Sequence, residues 1–219
     1  LLDESKKMDP RTVDSIQRAM AQGMHIVIAS GRDKNGCKFV YEPLGLENGN
    51  HFLALVNGQV VYDFENKEYD LDDVLTAEDG VKIQKVCKQF GVEGIFQCGY
   101  DFYSYISSLN RVKKKVKNAI LGEPDDYGLK DGKENRNFID LPFEEIRLTQ
   151  DINKVIMVHS PRFFEKNFEG IKAALSDYDV LLIGPDWLEI MPKHVTKASA
   201  LWKICDKLGI SMNEVMAFG

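Results

Sequence analysis

His25-Ile26-Val27-Ile28-Ala29-Ser30-Gly31-Arg32 is the stretch that decides the fold of this 219-residue chain. A short apolar run, rich in β-branched residues, stops at a hydroxyl residue, a glycine and an arginine. So short a run with turn residues behind it predicts a fully buried parallel strand. Ser30, Gly31 and Arg32 then fall at its carboxyl end, where open α/β sheets bind ligands. Ser30 offers a hydroxyl, Gly31 lets a backbone N–H come close, and Arg32 offers a planar fork of donors. The set suits an anion, phosphate first. Ser-Gly-Arg also occurs in loops that bind nothing, so a plain turn stays open on this triplet alone.

Composition narrows the class. The chain is 44% hydrophobic and 28% charged, as in an ordinary globular protein. The net charge of −6 argues against a general nucleic-acid binder, which carries a basic surplus. No apolar run reaches the roughly 18 residues that span a bilayer, and no secretory signal opens the chain. Cys37, Cys87, Cys98 and Cys205 are scattered without a C-x-x-C pair, which predicts reduced thiols and a cytoplasmic protein. No two histidines stand at ligand spacing, so no zinc site is expected. Leu1-Leu2 opens the chain without Met, which predicts a fragment.

Outward from the first stretch, the pattern alternates. Asp9 and Pro10 predict a helix start, with Val13, Ile16 and Met20 on one face and Gly23 closing it. After Arg32, Cys37 to Tyr41 predicts a short helix ended by Pro43. Phe52 to Val56, Asn57-Gly58 and Gln59 to Tyr62 predict a buried strand, a hairpin turn and its return, and Glu65 to Lys67 predicts one more strand. Thr76 with Asp79 marks a capping box opening a helix to Gly91. Ile95 to Cys98 and Phe102 to Ile106 predict paired aromatic strands, their aromatics mostly core. A helix is expected from Leu109 to Leu121, with Leu109, Val112, Val116 and Ile120 facing inward and Lys113, Lys114, Lys115 and Lys117 solvated. Glu123 to Arg136 is expected as a loop. Strand, helix and two strands follow to Met191, then a helix from Lys197 to Leu208 and an apolar strand from Val215 to Gly219. The expected fold class is α/β: a Rossmann-like, doubly wound parallel-sheet core over 1–72 and 192–219, interrupted by an α+β cap over 73–191.

A second segment carries chemistry. Lys197 opens a helix, where the helix N-terminus is already electropositive. An anion in front of it explains a lysine there; a solvated lysine remains the plainer reading of this segment alone.

Four motifs occur in order: Ile-Ala-Ser-Gly-Arg after a strand, Val-Asn-Gly at 56–58, Leu-Glu-Ile-Met-Pro before a Lys-x-x-Ala-Leu helix, and Glu-Val-Met-Ala-Phe-Gly at the end. Together they resemble the Cof-type sugar-phosphate phosphatases (cap type IIB) of the haloacid dehalogenase superfamily, across essentially the whole chain. The resemblance implies a Mg²⁺-dependent phosphatase of small phosphorylated metabolites, acting through an aspartyl-phosphate. It implies that Ser30, helped by the Gly31 N–H, binds the transferring phosphoryl group and that Lys197 holds its oxygens and the nucleophilic carboxylate. Arg32 is implied to reach the substrate or to order the neighbouring loops, and Asn57 and Gly58 to line the same crevice. It also implies a cap that closes over the substrate.

The departures are as specific. The family's Asp-x-Asp-Gly-Thr nucleophile loop is expected just before Leu1, and the Mg²⁺-binding acids of its fourth motif after Gly219. Asp3 and Glu4 are no substitutes, because nothing places them at a strand end. The chain as it stands is therefore expected to lack both nucleophile and metal site and to be inactive. A non-catalytic phosphate-binding or regulatory protein on the same fold stays open, as does a phosphomutase. A small-molecule substrate is expected as partner, with no nucleic acid and no membrane; the metabolite and the oligomeric state are not legible.

Overall fold

The computed structural model describes residues 7–122, 127, 137–145 and 148–218. The chain divides into two compact units, Leu1–Asp73 with His194–Gly219, and Val74–Lys193.

The first unit opens with α1 (Pro10–Ala21), capped by Asp9, whose carboxylate accepts from the Arg11 N–H at 2.8 Å. β1 (Val27–Ala29) follows and runs parallel to β2 (Phe52–Leu55). Between them one 3₁₀ turn (Asn35–Cys37) leads into α2 (Lys38–Leu44) and a second (Leu46–Asn48) follows it. Pro43 does not end α2 but lies inside it; a proline so late in a seven-residue helix forfeits only one backbone bond, and Gly45 at φ 73° makes the true stop. β2 turns through Val56–Gly58 into antiparallel β3 (Val60–Asp63), and β3 into β4 (Glu68–Leu71). The sheet order is β1-β2-β3-β4. Among the described residues β1 is therefore an edge strand, and it is only partly buried, not fully as its apolar run predicted. Composition reports which faces are apolar, not how many neighbours a strand has.

The second unit is a six-stranded sheet with helices. α3 (Ala77–Phe90) starts on the predicted box: Thr76 Oγ1 accepts from the Asp79 N–H at 3.2 Å, and Asp79 accepts from the Thr76 N–H at 2.9 Å. β5 (Glu93–Cys98), β6 (Asp101–Ile106), α4 (Ser108–Leu121), β7 (Phe138–Pro142), β8 (Lys154–Val158), α5 (Pro161–Ala174), β9 (Tyr178–Gly184) and β10 (Trp187–Pro192) complete it, in the sheet order β7-β6-β5-β8-β10-β9. Phe96, Tyr105, Val155, Met157, Leu188 and Ile190 form a core with Ile83 and Cys87 of α3 and Phe164 and Ile171 of α5. Of the aromatics of β5, β6 and the turn between them, Phe96, Phe102 and Tyr105 are buried, Tyr103 is partly so and Tyr100 is exposed. The predicted loop Glu123 to Arg136 lies outside the described residues apart from Tyr127.

α4 reverses the sequence expectation. Leu109, Val112, Val116 and Ile120 point outward, 55–77% exposed, whereas Lys114 and Asn118 face inward. Lys114 pairs with Glu93 at 2.7 Å. A buried carboxylate on the sheet needs a cation more than the helix needs its apolar stripe covered.

The first unit is completed by α6 (Lys197–Leu208), which ends at Gly209 with φ 66°. Its Ala200 and Ile204 pack on Phe52, Ala54 and Val61, while Leu53, Leu55 and Tyr62 on the opposite face of the sheet join Val40, Tyr41 and Leu44 of α2 and, through partly buried contacts, Val13 and Ile16 of α1. Helices thus cover both faces of this sheet, the three-layer α/β arrangement. The strand predicted at Val215 to Gly219 is not formed: Val215 to Phe218 pair with no described strand, and Gly219 lies outside the described residues.

Candidate active site

All six residues singled out in the sequence belong to the first unit, and the β1–β2 pairing starts to gather them. Because the two strands are parallel neighbours, their carboxyl ends lie side by side. Ser30 donates its N–H to Ala54 O at 2.8 Å, extending the ladder one residue beyond β1. The Asn57 N–H then donates to Ser30 O at 2.9 Å, and the Val56 N–H to Arg32 O at 3.0 Å. The Ser-Gly-Arg turn is thereby tied at both ends to the Val-Asn-Gly turn.

Inside the first turn, Ser30 Oγ accepts from the Arg32 N–H at 3.1 Å, closing a small loop over Gly31. Gly31 needs its missing side chain for space: a Cβ there would stand 2.7 Å from Asn57 Oδ1. The Ser30 hydroxyl is also within hydrogen-bonding reach of the buried Cys37 thiol. Burial pushes that thiol above its ordinary pKa and the Ser30 hydrogen bond only partly offsets it, so Cys37 is a neutral neighbour. Arg32 turns sideways: its Nη1 donates to Gly36 O at 3.4 Å and its guanidinium lies 5.3 Å from the Phe39 ring centroid. Its contacts order the loop between β1 and α2.

Lys197 comes in from α6. It is the first helical residue, it is exposed, and the first turn carries no acid. Thr196 is the N-cap: its Oγ1 accepts from the Ser199 N–H at 3.0 Å, and Ser199 Oγ accepts from the Thr196 N–H at 2.9 Å. The junction to the rest is Gly58, at φ 105°. A Cβ there would collide with the Thr196 carbonyl and stand 2.9 Å from the Lys197 nitrogen. Ser30, Gly31, Asn57, Gly58 and Lys197 therefore form one unbroken chain of contacts, although 139 positions separate Gly58 from Lys197 (197 − 58).

Sequence reasoning gave no site role of their own to four residues of this neighbourhood. Thr196 with Ser199 had a readable signal, a hydroxyl residue three positions before another at a helix start. Cys37 and Val56 had none, since one is a buried thiol in a turn and the other a β-branched residue at φ 47°. Among the described residues no group of three or more His, Cys, Asp or Glu side chains could hold a metal ion. No helix among them is long and apolar enough to cross a membrane.

A mixed α/β unit with a hydroxyl turn beside a helix that begins on lysine defines the class. Residues 1–219 match the haloacid dehalogenase-like hydrolase family, and the chain belongs to it. It is similar to a protein of Streptococcus pyogenes serotype M6 whose name gives phosphatase as a provisional assignment, at 26% identity over all of this chain and 76% of that protein. Among solved structures, a haloacid dehalogenase-like hydrolase from Bacteroides thetaiotaomicron superposes with a TM-score of 0.71 at 20% identity, over 100% of this chain and 77% of that one. A subclass IIB sugar phosphatase of the same superfamily, BT4131, gives a TM-score of 0.69 at 18% identity, over 98% and 74%.

Proposed function

We propose that this chain supplies the phosphoryl-binding side of a Mg²⁺-dependent phosphatase that hydrolyses small phosphorylated metabolites, sugar phosphates or similar, through an aspartyl-phosphate. The observation that carries the reading is the contact of Gly58 with Thr196 and Lys197, which joins the Ser30 turn to the first turn of α6. Phosphoryl transfer asks a protein mainly for positioning and charge neutralisation. In this reading the Ser30 hydroxyl and the Gly31 N–H receive the phosphoryl oxygens. The exposed Lys197 ammonium, with the positive end of α6 behind it, neutralises their charge. Arg32 holds the turn in shape through Gly36 and Phe39, and Asn57 and Gly58 complete the wall.

The described side chains provide no cluster of acids for Mg²⁺, so none of them is proposed as a metal ligand. A cytoplasmic setting belongs to the same proposal, supported by four free cysteines, all buried. The sugar-phosphatase activity named for BT4131 supports the substrate class.

The test is Lys197→Ala in the complete natural protein that contains these residues. Lys197 is exposed in the first turn of α6, ahead of the buried Ala200, Ile204 and Cys205, so the fold should survive its truncation. Turnover of a phosphate-ester panel should fall about 10³-fold, the scale of losing one preorganised charge at a transition state. Turnover within a few-fold of wild type would overturn the reading.

A further inference from the structure

We propose that Val56-Asn57-Gly58 is a positioning turn, a rigid spacer that fixes the separation of Ser30 from Lys197, with Gly58 as the residue through which α6 is held in place. The inference rests on the phosphatase reading above and adds to it a device that sets its geometry.

Three successive residues of this turn have positive φ: 47° at Val56, 59° at Asn57 and 105° at Gly58. For a β-branched residue such as Val56 this backbone is a true outlier. Such a conformation persists only where the surroundings over-determine it, and it clusters at functional sites. Here the surroundings are identifiable. Val56 is buried in the core that includes Leu53, Leu55 and Tyr62, and its N–H is spent on Arg32 O at 3.0 Å. Asn57 tolerates the left-handed region, and its N–H goes to Ser30 O at 2.9 Å. An ordinary two-residue hairpin would join β2 to β3 without any of these ties.

The turn touches both partners through glycines. On one side the Asn57 amide oxygen fills the space a Gly31 side chain would take. On the other, Gly58 sits against the Thr196 carbonyl, the group that accepts the Ala200 N–H at 3.1 Å and so begins α6. Gly58 cannot be lengthened without moving α6, because the clash is with backbone, whereas at Gly31 the tip of Asn57 must give way. A phosphoryl group held from two sides is sensitive to such a shift, because reacting distances must hold to a fraction of an ångström.

The experiment compares Gly58→Ala with Gly45→Ala in the complete natural protein. Both put a Cβ on a residue with positive φ, 105° and 73°, but at Gly45 nothing lies within 4 Å. Backbone strain is common to the pair, and the push on α6 is not. Gly58→Ala should lower kcat at least 50-fold with KM within about 5-fold, and Gly45→Ala should leave both within 3-fold, with only the smaller fall in melting temperature that backbone strain alone causes. Should Gly58→Ala fail to fold, Gly31→Ala reads the same turn from its other side, since it meets only the movable tip of Asn57. Its loss of about 10-fold in kcat should shrink below 3-fold in an Asn57→Gly background, where that tip is gone. A kcat for Gly58→Ala within 3-fold of Gly45→Ala, or an unchanged Gly31→Ala effect in the Asn57→Gly background, overturns the spacer while Lys197→Ala remains inactive. An active Lys197→Ala overturns the phosphatase reading and the spacer with it.

Discussion

Lys114 Nζ lies 2.7 Å from Glu93 Oε1, and the two side chains are only 8% and 5% exposed. Ser104 donates to the same oxygen at 2.6 Å, Tyr127 donates to the other at 2.5 Å, and the ammonium stands 4.3 Å from the Tyr127 ring centroid. A buried pair so fully solvated by its neighbours is costly to break and cheap to replace whole. Lys114→Met should destabilise the protein by about 3 kcal/mol, because Glu93 is left charged and unpaired. Adding Glu93→Gln should recover more than half of that, since the glutamine Oε1 still accepts from one of the two hydroxyls and its Nε2 donates to the other, which turns to accept. Urea denaturation of the two single variants and the double closes the cycle. A cost under about 1 kcal/mol for Lys114→Met would mean that the pair is not buried in solution.

The outward stripe of α4 gives a second test of the same orientation. Were Val116 and Ile120 core residues, a lysine at either would cost about 3 kcal/mol or more. At 55% and 77% exposure, Val116→Lys and Ile120→Lys should change stability by less than about 0.5 kcal/mol. Melting curves of the two variants decide between the orientations, and a drop of ten degrees in either would restore the inward reading.

This helix also shows where sequence periodicity stops informing. The 3.6-residue stripe of α4 located the helix, yet it pointed to the wrong face. What decides the face is a glutamate on another strand, Glu93, and nothing local to α4 reveals that it is buried. Asp9-Pro10, Thr76 with Asp79, and Gly91 after α3 were legible because caps and left-handed stops depend on a few adjacent residues. The candidate site was legible by residue type at Ser30, Gly31 and Lys197. The tie between them was not: it depends on a strained Val56 and on van der Waals contact between backbones, neither of which leaves a compositional trace. The edge position of β1 and the absence of a strand at Val215 to Phe218 are likewise facts about neighbours, to which an apolar run is blind.

Within the proposed site, Ser30 and Lys197 should not be equivalent. Ser30 offers one neutral hydrogen bond, and its oxygen already accepts from the Arg32 N–H at 3.1 Å, so the loop keeps its shape if other ties hold. Those ties, Ser30 N–H to Ala54 O and Asn57 N–H to Ser30 O, are backbone bonds that alanine preserves. Ser30→Ala should therefore reduce kcat/KM by about 10- to 100-fold, one to two orders less than the loss of the Lys197 charge. Steady-state kinetics on one substrate order the two variants. A Ser30→Ala defect equal to or larger than that of Lys197→Ala would place the main charge-bearing contact on the wrong residue.

The acid limb of stability should run through Asp63. Its side chain is 3% exposed and lies 2.6 Å from Lys207 Nζ, and it accepts from the Glu65 and Asn66 N–H groups at 2.9 and 3.1 Å and from Asn66 Nδ2 at 2.8 Å. Burial alone would raise its pKa, but Lys207 and the Asn66 donors outweigh burial and hold it below 3.8. A carboxylate with a depressed folded pKa contributes stability that is fully present above its unfolded pKa and lost as pH falls through the folded value. Lys207 is held above 10.5, chiefly by its hydrogen bond to Asp63, so its share is complete below 10.5 and is lost as pH rises through that raised value. Asp63→Asn keeps an acceptor for the backbone donors and removes the charge. Because Lys207 is 42% exposed, solvent screening limits the cost to about 1–2 kcal/mol at neutral pH. The difference between wild type and Asp63→Asn should be constant from pH 6 to 9 and shrink toward zero below about pH 4, as wild-type Asp63 takes up its proton. Chemical denaturation at pH 7, 5, 4 and 3 measures it, and a difference that stays level down to pH 3 would show that the Asp63 charge contributes nothing to holding the β3–β4 turn against α6.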